Sequence, residues 1–291
     1  MRSLIFLIRS IVYSNLFVSL CITLLAHQTY LILQIPQADS FSVLALIFCS
    51  TFFTYNFQRI YRLRSVELLG KLIGIRLGWI IRNRKRLFFA SVLSLILSIY
   101  FLFQLSLNVF LLIIPLALFS VLYVIPVFPQ KKAIRDLPFA KIFVISIVWS
   151  VVMVAIPVVN FSGFEGLTNS SFLMLLLEQF LFILAITLPF DVRDLRYDME
   201  SNIKTIPSYI GIKNTITLSH GLLVLVFALK WIQYAYLGQL NLSQLIATGV
   251  TIFLSGFIIA FTSHRRAELF FSGFVDGTMI IMYLGMLVLE Y

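Results

Sequence analysis

The chain has 291 residues, of which 60% are hydrophobic and 12% are charged, and its mean hydropathy is +1.01. This composition is too apolar for a soluble globular domain and predicts an integral membrane protein. The net charge of +10 would otherwise suggest a nucleic-acid partner. The basic residues, however, are confined to alternate loops, so the charge is explained by membrane topology and we expect no nucleic acid.

A helix that crosses a bilayer needs about 20 apolar residues, and nine such runs follow one another along the chain. They lie near 11–34, 41–61, 87–105, 108–128, 139–159, 172–190, 217–237, 243–263 and 270–289. The first run is too long for a signal peptide and has no small-residue cleavage site, so it predicts a retained anchor. The sequence therefore predicts an all-α bundle of about nine transmembrane helices in a single domain, 1–291.

The Lys and Arg residues predict which ends of the helices face the cytoplasm. They cluster at 59–86, 131–141, 193–213 and 265–266, and the loops between these clusters carry none. By the positive-inside rule, the N-terminus is cytoplasmic and the C-terminus faces outward, and we expect the inner membrane of a bacterium. The longest basic loop, between the second and third runs, has apolar positions at helical spacing. This pattern fits a surface helix or lid, and it fits a basic tether to anionic headgroups equally well.

A faint internal repeat relates the ends of the second and sixth runs. "TFFTYNFQRIYRLR" closes the second run and "ITLPFDVRDLRYD" closes the sixth, in the same orientation. Aligning Asn56 with Asp191 places Arg59 opposite Asp194. The match predicts two pseudo-repeat halves, 1–135 and 136–291, which is an arrangement found in some transporters.

Three aspartates, Asp191, Asp194 and Asp198, stand in the segment "PFDVRDLRYD" directly after the sixth run. Steps of three and four residues place them on one face of a helix. Hard oxygen ligands suit Mg²⁺, which commonly shares its coordination shell with phosphates, and Arg193 and Lys204 are near enough to hold further phosphate oxygens. The spacing thus fits a Mg²⁺ ion that joins the aspartates to a diphosphate. It fits local ion pairs in a solvated loop as well, and composition and topology do not separate the two.

The segment "PFDVRDLRYDMESNIKTIPSYIGIKN" resembles the second aspartate-rich motif of the UbiA superfamily of intramembrane prenyltransferases. That motif is D-x-x-D-x-x-x-D, followed by a Lys/Arg-Thr-Ile/Leu-Pro segment and a Leu/Ile-Gly turn. "LYVIPVFPQKKAIRDLPFAKIFVISIVW" is similar to the family's connection between the fourth and fifth spans. The resemblance implies that the protein binds a polyprenyl diphosphate with Mg²⁺, ionises it to an allylic cation and prenylates a lipophilic acceptor. Asp191, Asp194 and Asp198 would then be the metal ligands and catalytic residues.

The family's first motif, N-x-x-x-D-x-x-x-D, is degenerate in this chain. The end of the second run reads "NFQRIYRLR", in which Asn56 is present but Ile60 and Arg64 stand at the aspartate positions. Either a guanidinium replaces one metal ion in neutralising the diphosphate, or the ionisation step is lost. The substrate-binding set implied by the resemblance and by the basic residues nearby is Asn56, Arg59, Arg64, Arg193, Tyr197 and Lys204.

Three functions remain open at this point. The first is Mg²⁺-assisted prenyl transfer from a polyprenyl diphosphate to an apolar or aromatic acceptor. The second is a catalytically inactive relative that binds a prenyl lipid or a quinone, and the third is a secondary transporter.

Three charged residues, Glu178, Lys230 and Asp276, lie more than one helical turn inside the apolar runs. Glu178 and Lys230 occur at similar depths in consecutive spans, and an isolated charge in lipid is costly, so we expect them to form an ion pair or a shared polar network. Asp276 lies about two turns into the last span. Its side chain either bonds to a neighbouring helix or lines the cavity.

Overall fold

A computed structural model of the chain describes residues 2–38, 40–68, 75–129 and 133–287, without the side chains of residues 2–5, 62 and 64–68. The described part is helical, with short connections and no extended strand. Eleven α-helices follow one another: α1 (Arg2–Tyr13), α2 (Leu16–Ile32), α3 (Ser40–Leu68), α4 (Ile75–Leu102), α5 (Leu107–Leu122), α6 (Ala140–Ser150), α7 (Ile156–Ser162), α8 (Ser170–Glu200), α9 (Ile206–Ala235), α10 (Leu242–Ala260) and α11 (Asp276–Leu287).

These helices account for the predicted membrane spans. Seven helical segments are long and apolar enough to cross a bilayer. Within the described residues the number is eight if α1 and α2, which meet at an angle of 64°, are counted as one span, and the shorter apolar helix α5 lies at the predicted fourth run. The prediction of an all-α membrane bundle is therefore confirmed. Apart from the bend and the shorter α5, the observed helices follow the predicted runs in order.

Two of the spans contain a π-helical turn. One such turn, Val151–Ala155, joins α6 to α7, and the other, Phe270–Val275, leads directly into α11. A π-turn shifts the register of the side chains that follow it and is frequent at functional sites. The second of these turns directly precedes Asp276, the first residue of α11.

The helices pack into a closed ring. α2 contacts α3 and α11, α3 contacts α7, and α6 contacts α8. α8 contacts α9, α9 contacts α10, and α10 contacts α11. α4 packs on α3, and α5 packs on α7. A large apolar core fills the ring, and its fully buried members include Leu25, Met153, Phe182, Phe271 and Met282, while two smaller clusters lie around Ile80 and Leu188. The apolar residues that face outward are those expected to contact lipid.

The ion pair predicted between consecutive spans is confirmed. Nζ of Lys230 on α9 lies 2.9 Å from Oε2 of Glu178 on α8, and neither side chain is exposed. The amide of Gln233 donates a hydrogen bond to the same carboxylate oxygen at 2.6 Å, and Gln179 lies 3.4 Å from the other oxygen. The carboxylate thus has three partners inside the bundle, which offsets part of the cost of burying its charge.

Two predictions fall on residues outside those described. Of the segment predicted to form a surface helix or lid between the second and third spans, residues 69–74 and the side chains of 64–68 lie outside those described, whereas residues 75–86 form the beginning of α4. The side chain of Arg64 is also outside the described set, although its backbone belongs to α3. The pseudo-repeat halves 1–135 and 136–291 remain a prediction.

Candidate functional site

The three aspartates of the predicted site lie on the last turns of α8. The helix continues without interruption past Pro189 as far as Glu200, so the steps of three and four residues place the carboxylates on one side of it. Asp191 and Asp198 are 2% and 3% exposed, and the side chain of Asp194 is 26% exposed. The structure brings the three together at the predicted cytoplasmic end of the bundle.

Lys141, in the first turn of α6, lies among the three carboxylates. Its Nζ is 3.0 Å from Oδ1 of Asp191, 2.9 Å from Oδ2 of Asp194 and 3.8 Å from Oδ2 of Asp198. The helix begins at this position because Phe139 has a left-handed backbone (φ 59°) and its N–H donates to the carbonyl of Lys204 at 2.9 Å. The ammonium group therefore occupies the point toward which the aspartate face is directed.

One ammonium group carries one charge and cannot neutralise three carboxylates. Oδ1 of Asp191 and Oδ2 of Asp198 are buried and accept no hydrogen bond. Both are within ion-pair distance of Lys141, but neither lies in the direction of a good hydrogen bond from it. Buried carboxylate oxygens without hydrogen bonds are costly, so the aspartate face has unused capacity for a cation.

Arg193 connects the aspartate face to a second acidic group, Glu268. Its Nε and Nη2 contact the two carboxylate oxygens of Asp194 at 2.7 and 3.1 Å, and its Nη1 donates to Oε1 of Glu268 at 3.1 Å. The guanidinium also lies over the rings of Phe190 and Phe271, at 5.0 and 5.7 Å from their centroids. These contacts fix the plane of Arg193 between α8 and the start of the last span.

Arg76, near the start of α4, reaches the same glutamate from the other side. Its Nη1 donates to Oε1 of Glu268 at 2.5 Å and to Oγ of Ser272 at 2.8 Å, and its Nη2 donates to Oδ1 of Asn15 at 2.9 Å. The residue is buried. Arg76 and Arg193, from two different helices, thus meet at a single carboxylate oxygen.

Asn56, the remaining residue of the degenerate first motif, is joined to this network through Asn15. Asn15 has a left-handed backbone (φ 67°) at the bend between α1 and α2, and its Nδ2 donates to Oδ1 of Asn56 at 2.9 Å. The amide of Asn56 donates to the carbonyls of Ser14 and Phe52 at 3.0 and 2.9 Å. A continuous chain of polar contacts therefore leads from Asn56 through Arg76, Glu268 and Arg193 to the aspartate face.

Arg59 lies on α3, one turn beyond Asn56, and faces the same group of charges. Its guanidinium is close enough to interact electrostatically with Arg76, Arg193, Glu268 and Asp194. It is half-buried, and among the described side chains it has neither a hydrogen bond nor an ion pair within 4 Å. The positive side of the site therefore includes one guanidinium that is not neutralised at close range.

The other predicted site residues lie around this group. Tyr197 is half-buried on α8, between Asp194 and Asp198 in sequence. The side chain of Lys204 is exposed, and it is the backbone carbonyl of this residue that supports the start of α6. Asp276 is buried, 8% exposed, and its carboxylate makes no hydrogen bond or ion pair with a described side chain. Of the two roles considered for Asp276, the bond to a neighbouring helix is not observed.

Glu268 is held in its ionised form. Burial raises the pKa of its carboxyl, but the positive charges of Arg193 and Arg76 outweigh burial, so that the pKa lies below the ordinary value. The residue is the first of the helical segment that leads into the last membrane span, two residues before Phe270. Glu268 is therefore a permanent anion between two permanent cations at neutral pH.

Three members of the site were not among the residues selected from the sequence: Lys141, Arg76 and Glu268. Arg76 and Lys141 lie in the basic clusters 59–86 and 131–141, which predict only the orientation of the helices in the membrane. Glu268 gave no local signal, because a single glutamate next to Arg265 and Arg266 is an ordinary loop composition. Only the packing of the last span against the first two brings it to Arg76, 192 residues away in sequence.

Comparison with known proteins agrees with this geometry. A family model described as the UbiA prenyltransferase family matches residues 80–274, which include the aspartates of α8 but begin after Asn56 and Arg59. No curated protein sequence matches the chain.

Three solved structures share the fold. A UbiA homolog from Aeropyrum pernix K1 is 16% identical, with a TM-score of 0.65, over 98% of this chain and 99% of that one. A UbiA homolog from Archaeoglobus fulgidus, bound to GPP and Mg²⁺, is 13% identical, with a TM-score of 0.64, over 96% and 98%. A digeranylgeranylglyceryl phosphate synthase is 18% identical, with a TM-score of 0.59, over 96% and 98%. These similarities extend over the full length of the fold, and the family match covers more than half of the sequence, so the chain belongs to the UbiA prenyltransferase family.

Proposed function

We propose that this protein transfers a prenyl group from a polyprenyl diphosphate to an apolar or aromatic acceptor, using one metal ion on the aspartate side and guanidinium groups on the other. The observation that carries the proposal is the juxtaposition of two charged faces. Asp191, Asp194 and Asp198 form an acidic face on α8, and Arg59, Arg76 and Arg193 form a basic one beside it. A diphosphate with a bound divalent cation is complementary to both faces at once.

The donor set of the aspartate face fits Mg²⁺. Carboxylate oxygens are the ligands that Mg²⁺ prefers, and two of those present are buried without a hydrogen bond. In the described residues no three acidic, histidine or cysteine side chains converge closely enough to hold an ion as they stand, since Lys141 lies between the aspartates. Asp191, Asp194 and Asp198 would therefore hold the ion once the ammonium group has moved aside.

The basic face takes the place of the missing first motif. The two absent aspartates would have held a second cation opposite α8, and here Arg59 and Arg76 supply positive charge from α3 and α4. A guanidinium binds phosphate oxygens directly, through two parallel N–H donors, and needs no metal ion for this. Loss of the first-motif carboxylates is thus compatible with diphosphate binding.

In the proposed reaction, the bond between the allylic carbon and the diphosphate oxygen breaks, and its electron pair leaves with the diphosphate. Mg²⁺ supplies neutralisation of the charge that develops on the leaving group. Arg193, Arg76 and Arg59 donate hydrogen bonds to the same oxygens and keep the diphosphate at the end of the bundle. The faces of Phe190 and Phe271, already in contact with Arg193, are placed to shield the allylic cation from water. The acceptor then forms a bond to the allylic carbon and loses a proton.

A second candidate function is favoured by the same degenerate motif. Ile60 and Arg64 stand where the family has aspartates, and a site with fewer metal ligands stabilises the transition state less. A relative that binds a prenyl lipid or a quinone without reaction would retain the fold and the apolar interior. Diphosphate release distinguishes the two, because the non-catalytic relative releases none under any condition.

The proposed function is tested by binding of geranyl diphosphate to the detergent-purified protein, with and without Mg²⁺. We expect binding that requires Mg²⁺ and weakens at least about tenfold in Asp191→Asn, because that substitution removes one charged ligand. Glu165→Gln is the matched control, since Glu165 lies in an exposed turn at the opposite end of the bundle. Release of inorganic diphosphate, with water as the acceptor, is then measured in the same samples.

Each outcome decides between functions. Mg²⁺-dependent binding followed by diphosphate release supports the transferase. Binding without any release favours the non-catalytic relative. No binding to the wild type would contradict both the transferase and the assignment of the site.

A further inference from the structure

Glu268 lies where an anionic ligand of the site would be expected. Its Oε1 accepts hydrogen bonds from Nη1 of Arg76 at 2.5 Å and from Nη1 of Arg193 at 3.1 Å, and Oγ of Ser272 lies 3.4 Å away. Two guanidinium groups from separate helices, directed at one oxygen atom, are a common arrangement for holding a phosphate oxygen. In this protein the oxygen belongs to the protein itself.

Most of the remaining donors of the two arginines bond to other groups, and Nε of Arg76 is buried without a hydrogen bond. Arg193 uses Nε and Nη2 on Asp194, and Arg76 uses Nη2 on Asn15. Nη1 of each residue is therefore the donor directed into the site, and Glu268 receives both. A diphosphate oxygen and the carboxylate of Glu268 cannot occupy this position together.

The position carries more positive charge than one carboxylate neutralises. Arg59 adds a third guanidinium that is repelled by Arg76 and Arg193 and has no close anionic partner among the described side chains. A diphosphate bears more negative charge and more acceptor oxygens than a carboxylate, so it satisfies the three guanidiniums better. Electrostatics therefore favours the exchange of Glu268 for a diphosphate.

The side chain of Glu268 is also able to move away from Arg76 and Arg193. It is the first residue of the helical segment that leads into the last span, directly after the exposed residues 264–267, and its own side chain is 27% exposed. A partly exposed carboxylate at the edge of the bundle becomes hydrated when it swings outward, whereas Asp191 has no such path. The cost of the movement is the loss of its bonds to the two arginines, which the incoming phosphate replaces.

We propose that Arg76 and Arg193 form the two sides of a phosphate-binding clamp, and that Glu268 is an internal anion that occupies this clamp in the empty protein and is displaced by the diphosphate of the substrate. This inference rests on the proposed function, because it takes a prenyl diphosphate as the ligand. It gives Glu268 the role of a competitor for the arginines that the proposed function already places at the diphosphate. An internal competitor lowers the apparent affinity for the substrate by the fraction of protein in which the clamp is free.

The proposal predicts whether replacing Glu268 raises or lowers the affinity for a diphosphate. Affinities for geranyl diphosphate and for inorganic diphosphate are measured with Mg²⁺ on the full-length purified protein and on Glu268→Gln, with Glu165→Gln as the control. We expect Glu268→Gln to bind both ligands more tightly, by about tenfold, since the competing charge has been removed. The control should bind as the wild type does.

If Glu268 instead orients the arginines for the substrate, Glu268→Gln binds either ligand equally well or more weakly than the wild type, and the proposal is overturned. If the Gln variant does not fold, Glu268→Asp is used, whose shorter side chain reaches the clamp less well and must also bind more tightly. Failure of wild-type protein to bind geranyl diphosphate is a different result, and it would remove the proposed function together with this inference.

Discussion

The ammonium group of Lys141 lies 3.0 Å from the carboxylate of Asp191, at the point where the acidic face of α8 would hold a divalent cation. Asp194 contributes a second contact to the same ammonium at 2.9 Å. A lysine in this position neutralises part of the acidic face in the absence of metal. On the proposed function, Lys141 and Mg²⁺ would compete for the same carboxylates.

This competition predicts a metal-dependent stability for Lys141→Met. Without Mg²⁺ the variant leaves the buried carboxylates without their main partner, and removing one member of a buried ion pair costs about 3–5 kcal/mol. Saturating Mg²⁺ should restore most of the loss, because the ion takes the vacated position. The measurement is thermal unfolding in detergent after treatment with a chelator and again after addition of Mg²⁺.

Lys213→Met is the control for Lys141→Met, because Lys213 is exposed on α9. It should shift neither melting temperature. If Mg²⁺ stabilises the wild type and Lys141→Met by the same amount, the two cations do not share a position and the prediction fails.

Arg59 provides a test of the basic face that is independent of stability. Since Arg59 has no close partner among the described side chains, Arg59→Met should fold with a melting temperature close to that of the wild type. It should nevertheless bind geranyl diphosphate about 10- to 100-fold more weakly, because a hydrogen bond to a charged group is worth about 1.5–3 kcal/mol. Arg196→Met, at a side chain that is 92% exposed, should bind normally. Unchanged affinity in Arg59→Met would place Arg59 outside the substrate site.

The architecture could be predicted from the sequence because it depends on local patterns. Apolar runs of bilayer length gave the helices and their order, and the three- and four-residue steps from Asp191 to Asp198 gave the acidic face. The pairing of Glu178 with Lys230 followed from counting their depth in two consecutive antiparallel spans. None of these inferences requires knowledge of how distant helices pack.

The remaining parts of the site depend on packing between distant segments and left no such pattern. Arg76 meets Glu268 only because the helix ring closes between α2 and α11, which brings residues 192 positions apart into contact. Lys141 reaches Asp194 because α6 packs directly against α8. The spacing of apolar residues in the sequence predicts a helix and its apolar face. Which helix faces pack together depends on the shapes of all the side chains in the ring.

The lowered pKa of Glu268 predicts how the stability of the folded protein changes with pH. The charges of Arg193 and Arg76 lower its pKa in the folded protein despite burial, so its contribution to stability is complete above the ordinary glutamate pKa of about 4.3. The contribution is lost as the pH falls from there through the lower folded-state pKa, where the carboxylate becomes protonated. Glu268→Gln should therefore be less stable than the wild type at pH 6, and the difference should shrink as the pH approaches 3.5. Melting temperatures of both proteins across this range check the prediction, and a difference that stays constant with pH would contradict it.

The buried pair of Glu178 and Lys230 predicts a stability effect that is separate from substrate binding. Both side chains are fully buried, 2.9 Å apart, so Glu178→Gln and Lys230→Met should each destabilise the protein by about 3–5 kcal/mol, because each leaves the other charge without its partner. The double variant removes both charges, and it should be more stable than the sum of the two single effects implies. At temperatures where the variants remain folded, all three should bind geranyl diphosphate as the wild type does, because the pair lies toward the end of the bundle opposite the aspartates.

Additive losses would mean that the two charges do not stabilise each other, and weakened binding in the double variant would connect this pair to the site.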